Sequence, residues 1–182
     1  MIATDISEQA VAYAKKNADE NEAIVNFMVG DMWQPLIDRN LKVDILISNP
    51  PYIPREEEME HSVVDYEPHV ALFGGDDGLK FYRIIFENAA KVLKERAMMA
   101  FEMGYNQKEA LSEEAKKYFP NARIEVLKDM SGKNRMLFVY LNIEHWGYLK
   151  EYPFFLLFCV WMPVVQYCGI TVTAYSRRQE RL

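Results

Sequence analysis

Asn49, Pro50, Pro51 and Tyr52 are the residues of this chain whose types and order could do chemistry. A planar NH2 group attached to a carbonyl or an aromatic ring is a weak nucleophile, because its lone pair is delocalised. The Asn49 side-chain oxygen and the Pro50 carbonyl offer two acceptors for its two hydrogens, and together they would aim the nitrogen at an electrophilic methyl group. Positioning then carries most of the rate. Tyr52 would stack on the flat target, its ring face favouring partial positive charge. No strong general base is needed, since the nitrogen can lose its proton after it has become cationic. Asn-Pro alone is an ordinary strand-ending turn, whereas a buried strand emptying into Asn-Pro-Pro-Tyr points to methyl transfer onto an amide or amino nitrogen.

The elements that must position this elbow follow from apolar spacing. Val43 to Ile47 is the near-continuous apolar run of a strand covered on both faces. Asn49 and Pro50 each precede a proline and are pushed towards extended conformations, and neither proline can donate to a ladder. The chain therefore leaves the sheet at the carboxyl end of a strand, where open α/β sheets bind ligands. Ser7 is placed to cap a helix with Ala10, Val11, Ala14 and Ala18 on one face, and Ile24 to Val29 reads as a strand. Ser48 to Asp77 is a long irregular segment suited to a substrate loop. Leu79, Tyr82, Phe86, Ala89 and Leu93 recur at helical spacing, as core packing rather than a cofactor box. Ala97 to Met103 reads as a strand, Leu111, Ala115 and Tyr118 as a helix, and Arg123 to Leu127 with Met136 to Leu141 as a terminal antiparallel pair. Strands alternating with helices make this the α/β class with a mostly parallel sheet.

Composition narrows the function. With 182 residues, half of them hydrophobic, the chain can bury one core. The net charge of -6 argues against nonspecific affinity for a phosphate backbone and suits a protein substrate better, so no direct nucleic-acid binding is expected. Cys159 and Cys168 form neither a disulfide framework nor a Cys-x-x-Cys site, and His61, His69 and His145 lack ligand spacing, so no metal site is expected. Met1 to Lys16 carries no signal-peptide pattern, which points to the cytoplasm. The acidic run from Arg55 to Glu60 reads as a solvated loop face, with contact to a basic protein surface as the alternative.

Around the elbow the chain resembles the HemK-type protein-(glutamine-N5) methyltransferases, which modify a glutamine of peptide chain release factors. The resemblance runs through Ile2-Ala3-Thr4-Asp5-Ile6-Ser7, Val29-Gly30-Asp31-Met32, Ile47-Ser48-Asn49-Pro50-Pro51-Tyr52-Ile53, Asp65-Tyr66-Glu67-Pro68 and Ala71 to Leu79. It continues in Phe101-Glu102-Met103-Gly104 and Asp129 to Arg135, and so covers Ile2 to about Leu141. It implies a Rossmann-like class I fold that uses S-adenosyl-L-methionine, with Asn49 and Pro50 as catalytic positions and Asn49, Pro50, Pro51 and Tyr52 binding substrate. It also implies cofactor contacts from Asp5, Asp31, Met32 and Asn49. A carboxylate at Asp5 can accept from both ribose hydroxyls, although Asp is also common at helix caps; Asp31 could accept from the adenine amino group while the Met32 thioether packs on the ring.

The resemblance also implies parts this chain lacks: a helical domain, a first strand and a glycine-rich cofactor loop. No Gly-x-Gly-x-Gly occurs, and Gly74-Gly75-Asp76-Asp77-Gly78 reads as a turn whose aspartates cap the next helix. The fold is thus expected to be incomplete at the N-terminus, with two strand edges opened in mid-sheet and weak affinity for the cofactor. Residues 1–142 read as a partial methyltransferase catalytic domain and 143–182 as an unassigned apolar C-terminal extension. Phe154 to Ala174 reads first as a foreign extension, second as a strand or helix covering the opened sheet, and third as a membrane segment, which Pro163 disfavours. Two other functions stay open: a DNA adenine N6-methyltransferase, whose flipped base presents a similar NH2, and a noncatalytic methyltransferase remnant.

Overall fold

A computed structural model of the chain describes residues 1–55, 73–143 and 172–175. In chain order the elements are β1 (Ile2–Asp5), α1 (Glu8–Glu20), β2 (Asn26–Val29), α2 (Gln34–Ile37), β3 (Val43–Ser48), α3 (Lys80–Val92), β4 (Leu93–Glu102), α4 (Lys108–Tyr118), β5 (Arg123–Lys128), β6 (Asn134–Leu141) and β7 (Val172–Tyr175). They build one seven-stranded sheet in the order β2-β1-β7-β3-β4-β6-β5. β1 pairs with β2, and β3 with β4, in parallel; β6 is antiparallel to both β4 and β5.

The helices start and stop where local chemistry dictates. The Ser7 hydroxyl caps α1 by accepting from the Ala10 amide at 3.2 Å. Pro35 opens the short α2, where its missing N–H costs nothing. α3 presents Tyr82, Ile85, Phe86, Ala89 and Val92 to the sheet, as the aromatic stripe predicts. Tyr82 and Phe86 meet Phe101 of β4 edge-on, with ring centroids 5.8 and 5.6 Å apart. The larger of two apolar clusters joins α3 and α4 to β3, β4 and β6, and Met32 and Trp33 reach into it from the loop after β2; Ile45, Met98, Ala100, Phe138 and Tyr140 form the second. β4 begins directly after α3, earlier than the apolar spacing suggests, and Ile24 stays outside β2 at 93% exposure.

The sheet has no open seam. β7 lies between β1 and β3, antiparallel to both: Val172 pairs with Thr4 and Ser48, Thr173 with Ala3 and Ile47, and Ala174 with Ile2 and Leu46. The two edges expected in mid-sheet are therefore paired by a strand from the tail, and β1 and β3 run in the same direction on either side of it. No helix among the described residues is long and apolar enough to cross a membrane.

Candidate functional site

One register row fixes the site's edge. Thr4, Val172, Ser48 and Phe101 are neighbours across β1, β7, β3 and β4. The next residues along the parallel strands, Asp5, Asn49 and Glu102, therefore emerge at the same carboxyl edge, with Asp5 and Asn49 two strand spacings apart, roughly 10 Å. Val29 pairs with Asp5, which brings Gly30, Asp31 and Met32 to that edge as well. The sequence-predicted residues thus share one side of the sheet, divided into an acceptor group after β1 and β2 and an elbow after β3.

The elbow is buried at its prolines and more open at Asn49 and Tyr52. Pro50 and Pro51 are buried, while Asn49 is half-buried and its carboxamide makes no hydrogen bond among the described residues. A buried amide would need partners; at this partly open position the carboxamide is available to a ligand. Tyr52 is half-buried, and its hydroxyl donates to Glu102 Oε1 at 3.2 Å. Burial, then the Glu102 charge, pushes the Tyr52 phenol up to about 12, so it stays protonated near neutral pH. Burial also raises the Glu102 carboxyl above the usual range, opposed by Arg135 and by the Tyr52 hydrogen bond. Tyr82 reinforces this end of β4 by donating to the Glu102 carbonyl at 2.5 Å.

Three features of the elbow were not anticipated. Gln107, buried, donates through Nε2 to the Tyr52 carbonyl at 2.9 Å, and its Oε1 accepts from the Gly104 amide at 2.9 Å. Glu102 holds the Tyr52 hydroxyl. The glycine loop, read as a helix-capping turn, packs on the elbow: a Cβ at Gly74 would sit 2.6 Å from the Pro51 carbonyl oxygen, and one at Gly78 (φ +73°) 2.3 Å from that of Tyr52. Gly74 donates to the Ile53 carbonyl at 2.8 Å and Arg55 to that of Gly75 at 3.0 Å, and Ile53 and Phe73 form a parallel bridge. Asp77 does serve the next helix, accepting from the Leu79 amide at 3.0 Å and pairing with Arg83 at 2.6 Å. The visible signal was the spacing of Gly74 and Gly78 from Leu79; their target lay more than twenty residues upstream.

The candidate cofactor residues differ among themselves. Asp5 is buried at 3% exposure, and its Oδ1 accepts from the Ser7 amide at 2.8 Å, so the helix cap is Ser7 and the carboxylate braces it. Met32 is buried, has a left-handed backbone (φ +44°) unusual for this residue type, and its carbonyl accepts from the Thr4 hydroxyl. Asp31 is exposed, with its carbonyl capping the turn into α2 through the Gln34 amide. A buried acceptor, a buried thioether and an exposed carboxylate at one edge of the sheet are a set of groups compatible with a nucleoside. Ser48, on the seam row itself, has a buried hydroxyl with no partner among the described residues.

Other features lie apart from this edge. A cavity of about 470 Å³ lined by Leu93, Lys94, Phe119, Ala122 and Leu141 opens at the opposite end of β4. No group of three metal-ligating side chains occurs among the described residues. The acidic run after Arg55, the Asp65-Tyr66-Glu67-Pro68 segment, the three histidines, both cysteines and most of Phe154 to Ala174 lie outside the described residues.

A sheet with its central crossover between β1 and β3, and with polar groups gathered at the carboxyl edge there, defines a Rossmann-like class I methyltransferase fold. A methyltransferase from Pyrococcus furiosus shares it, with a TM-score of 0.58 at 18% identity over 78% of this chain and 62% of that one. The family model described as Methyltransferase small domain matches residues 1–66. Release factor glutamine methyltransferase from Bacillus anthracis is 41% identical over 136 residues, and that from Bacillus subtilis 42% over 137; each comparison takes in 74% of this chain and 48% of the relative. The chain is thus similar to release factor glutamine methyltransferases over about three quarters of its own length, and it spans about half the length of these curated relatives.

Proposed function

We propose that this chain carries the amide-orienting part of an enzyme that methylates N5 of a glutamine side chain in peptide chain release factors. The observation that carries the reading is the Asn49 carboxamide, uncommitted at the mouth of a buried Pro-Pro elbow whose aromatic residue is tied down by Glu102. In this reading the Asn49 Oδ1 and Pro50 carbonyl accept the two hydrogens of the glutamine NH2, which fixes the plane of the amide and points its nitrogen across the crevice. The Tyr52 ring, neutral and anchored at its hydroxyl, supplies the flat wall against which the amide lies. Preorganised acceptors of this kind need no reorganisation as the nitrogen gains positive charge.

S-Adenosylmethionine, when bound, supplies the electrophilic methyl group. Asp5 would hold its ribose, Met32 and Asp31 its adenine, and Asn49 would border both cofactor and substrate, all from the carboxyl edge of the sheet. A release factor is the partner and the cytoplasm the compartment that this activity requires.

The test joins the chain to the part of the Bacillus subtilis relative that it does not match and supplies methyl-labelled S-adenosylmethionine with either a release factor or adenine-containing DNA. Label on a release-factor glutamine is the expected result. Label on DNA adenine, or on neither substrate, would refute the reading.

A further inference from the structure

We propose that Gln107, together with Glu102, is a positioning residue for the amide site, holding Tyr52 at both of its ends; this rests on the reading of the elbow given above. The two prolines fix the chain direction only as far as Pro51, and a proline has no N–H with which to anchor the elbow to its neighbours. From Tyr52 onward the backbone is free to turn unless something else holds it. The connection from β4 to α4 does so. The last residue of β4, Glu102, takes the phenol hydroxyl, and the last of the connection, Gln107, donates to the carbonyl of the same tyrosine.

That connection is itself fastened. The Met103 amide donates to the Arg135 carbonyl of β6 at 2.9 Å, and the Gly104 amide donates into the Gln107 side chain. Gln107 is 7% exposed, so leaving its carboxamide without partners would be costly. Its geometry satisfies both ends: the oxygen faces Gly104, and the nitrogen faces Tyr52 with the Gly78 carbonyl more distant at 3.5 Å. The fit leaves no slack, because a Cβ at Gly78 would lie 2.5 Å from the Gln107 Nε2. A shift of the Tyr52 backbone would swing the Pro50 carbonyl, two residues upstream and one of the two acceptors proposed for the target amide. Gln107 therefore acts on the substrate through Tyr52 without touching it.

The test uses the full chain, with Gln107→Ala and Gln107→Glu beside the unsubstituted protein. Gln107→Glu keeps an oxygen for the Gly104 amide and removes the donor to Tyr52, so it separates the two halves of the contact. Amide hydrogen exchange at Gly104, Gly74 and Arg55 reads the elbow, Met99 and Val139 read the core, and titration with N-acetylglutamine amide reads the site. Gln107→Ala is expected to speed exchange at Gly104 and Gly74 about fivefold or more, the change expected for one lost buried hydrogen bond. Gln107→Glu should speed Gly74 and Arg55 while sparing Gly104. Both should weaken the amide probe by a similar factor and leave core exchange unchanged. Unchanged elbow exchange in both variants overturns the proposed clamp. Faster elbow exchange with unchanged probe affinity overturns the positioning role and leaves a structural contact only. If the unsubstituted chain takes up no probe, the amide-site reading fails and the positioning role falls with it, while the exchange data still judge the clamp.

Discussion

The sheet divides at β7 into two unlike sides. On one, β3, β4, β6 and β5 share a core with α3 and α4 in which Leu46, Tyr82, Ile85, Met99, Phe101, Leu137 and Val139 are fully buried. On the other, β1, β2 and α1 bury mainly small residues such as Ala3, Thr4 and Ala10, while Ile6, Tyr13, Ile24 and Val29 remain 60, 70, 93 and 49% exposed. The amide elbow, with Glu102 and Gln107, belongs wholly to the well-packed side; the acceptors suited to a nucleoside, Asp5 and Asp31, stand on the weak one. In the proposed reading, orientation of the substrate amide is built into the better-packed side, and the residues proposed to hold the cofactor depend on how the two sides are joined. In the sheet that join is four residues long.

Removing the join should have the largest effect. Deleting residues 172–182 leaves β1 and β3 with unpaired edges in mid-sheet, which favours association and loosens the weak side first. The expected result is a melting temperature lower by roughly 5 °C or more, faster exchange in β1 and β2, retained protection in β4 and β6, and larger particles by light scattering. The tail read as a foreign extension leads to the opposite expectation, that removing Ile143 to Leu182 improves solubility; an unchanged or raised melting temperature on deletion would restore that reading.

A smaller effect is expected inside the packed side, at Glu102. Its folded pKa is raised, chiefly by burial, so the native state holds the proton more tightly than the unfolded chain does. Stability linked to this group is complete below the unfolded carboxylate value and is lost as pH rises through the folded one. Glu102→Gln keeps an oxygen for the Tyr52 hydroxyl and cannot ionise. It should melt above the unsubstituted chain at about pH 8 and converge with it towards about pH 4. A variant that melts lower at the higher pH would show that the attraction of the Arg135 charge outweighs the burial of charge.

The smallest effect belongs to the seam itself. The Ser48 hydroxyl is buried without a partner among the described residues, so Ser48→Ala should leave stability unchanged or raise it by up to about 1 kcal/mol in urea denaturation. A clear loss would mean that the hydroxyl is satisfied and the seam tighter than its hydrogen bonding indicates.

What could be read in advance was what local spacing encodes. Val43 to Ile47 had to be a covered strand, the two prolines had to turn the chain out of it, and the Leu79 to Leu93 stripe had to face a core. Gln107 was illegible because its role is set by the carbonyl of Tyr52, fifty-five residues earlier, and nothing in the Gly104-Tyr105-Asn106-Gln107 turn reveals that neighbour. Gly78 showed itself as a turn residue, yet its lack of a side chain also serves the close approach of a distant backbone. β7 was hardest, because Val172 to Tyr175 is a short piece of a longer apolar run, and its place follows from a gap between two strands far away in sequence. Asp5 was legible as a residue at the carboxyl end of its strand but not as a helix cap: the cap of α1 is Ser7, and the Asp5 carboxylate accepts from the Ser7 amide.

The central claim is that the Asn49 carboxamide orients the amide that is methylated, and one substitution tests it most directly. With the chain joined to the part of the Bacillus subtilis relative that it does not match, Asn49→Ala should reduce methylation of the release-factor glutamine on the order of a hundredfold, the loss expected for one preorganised polar contact of ~3 kcal/mol. S-Adenosylmethionine affinity, measured by calorimetry on the same protein, should change little. Methylation at a near-normal rate in the Asn49→Ala enzyme would contradict the claim.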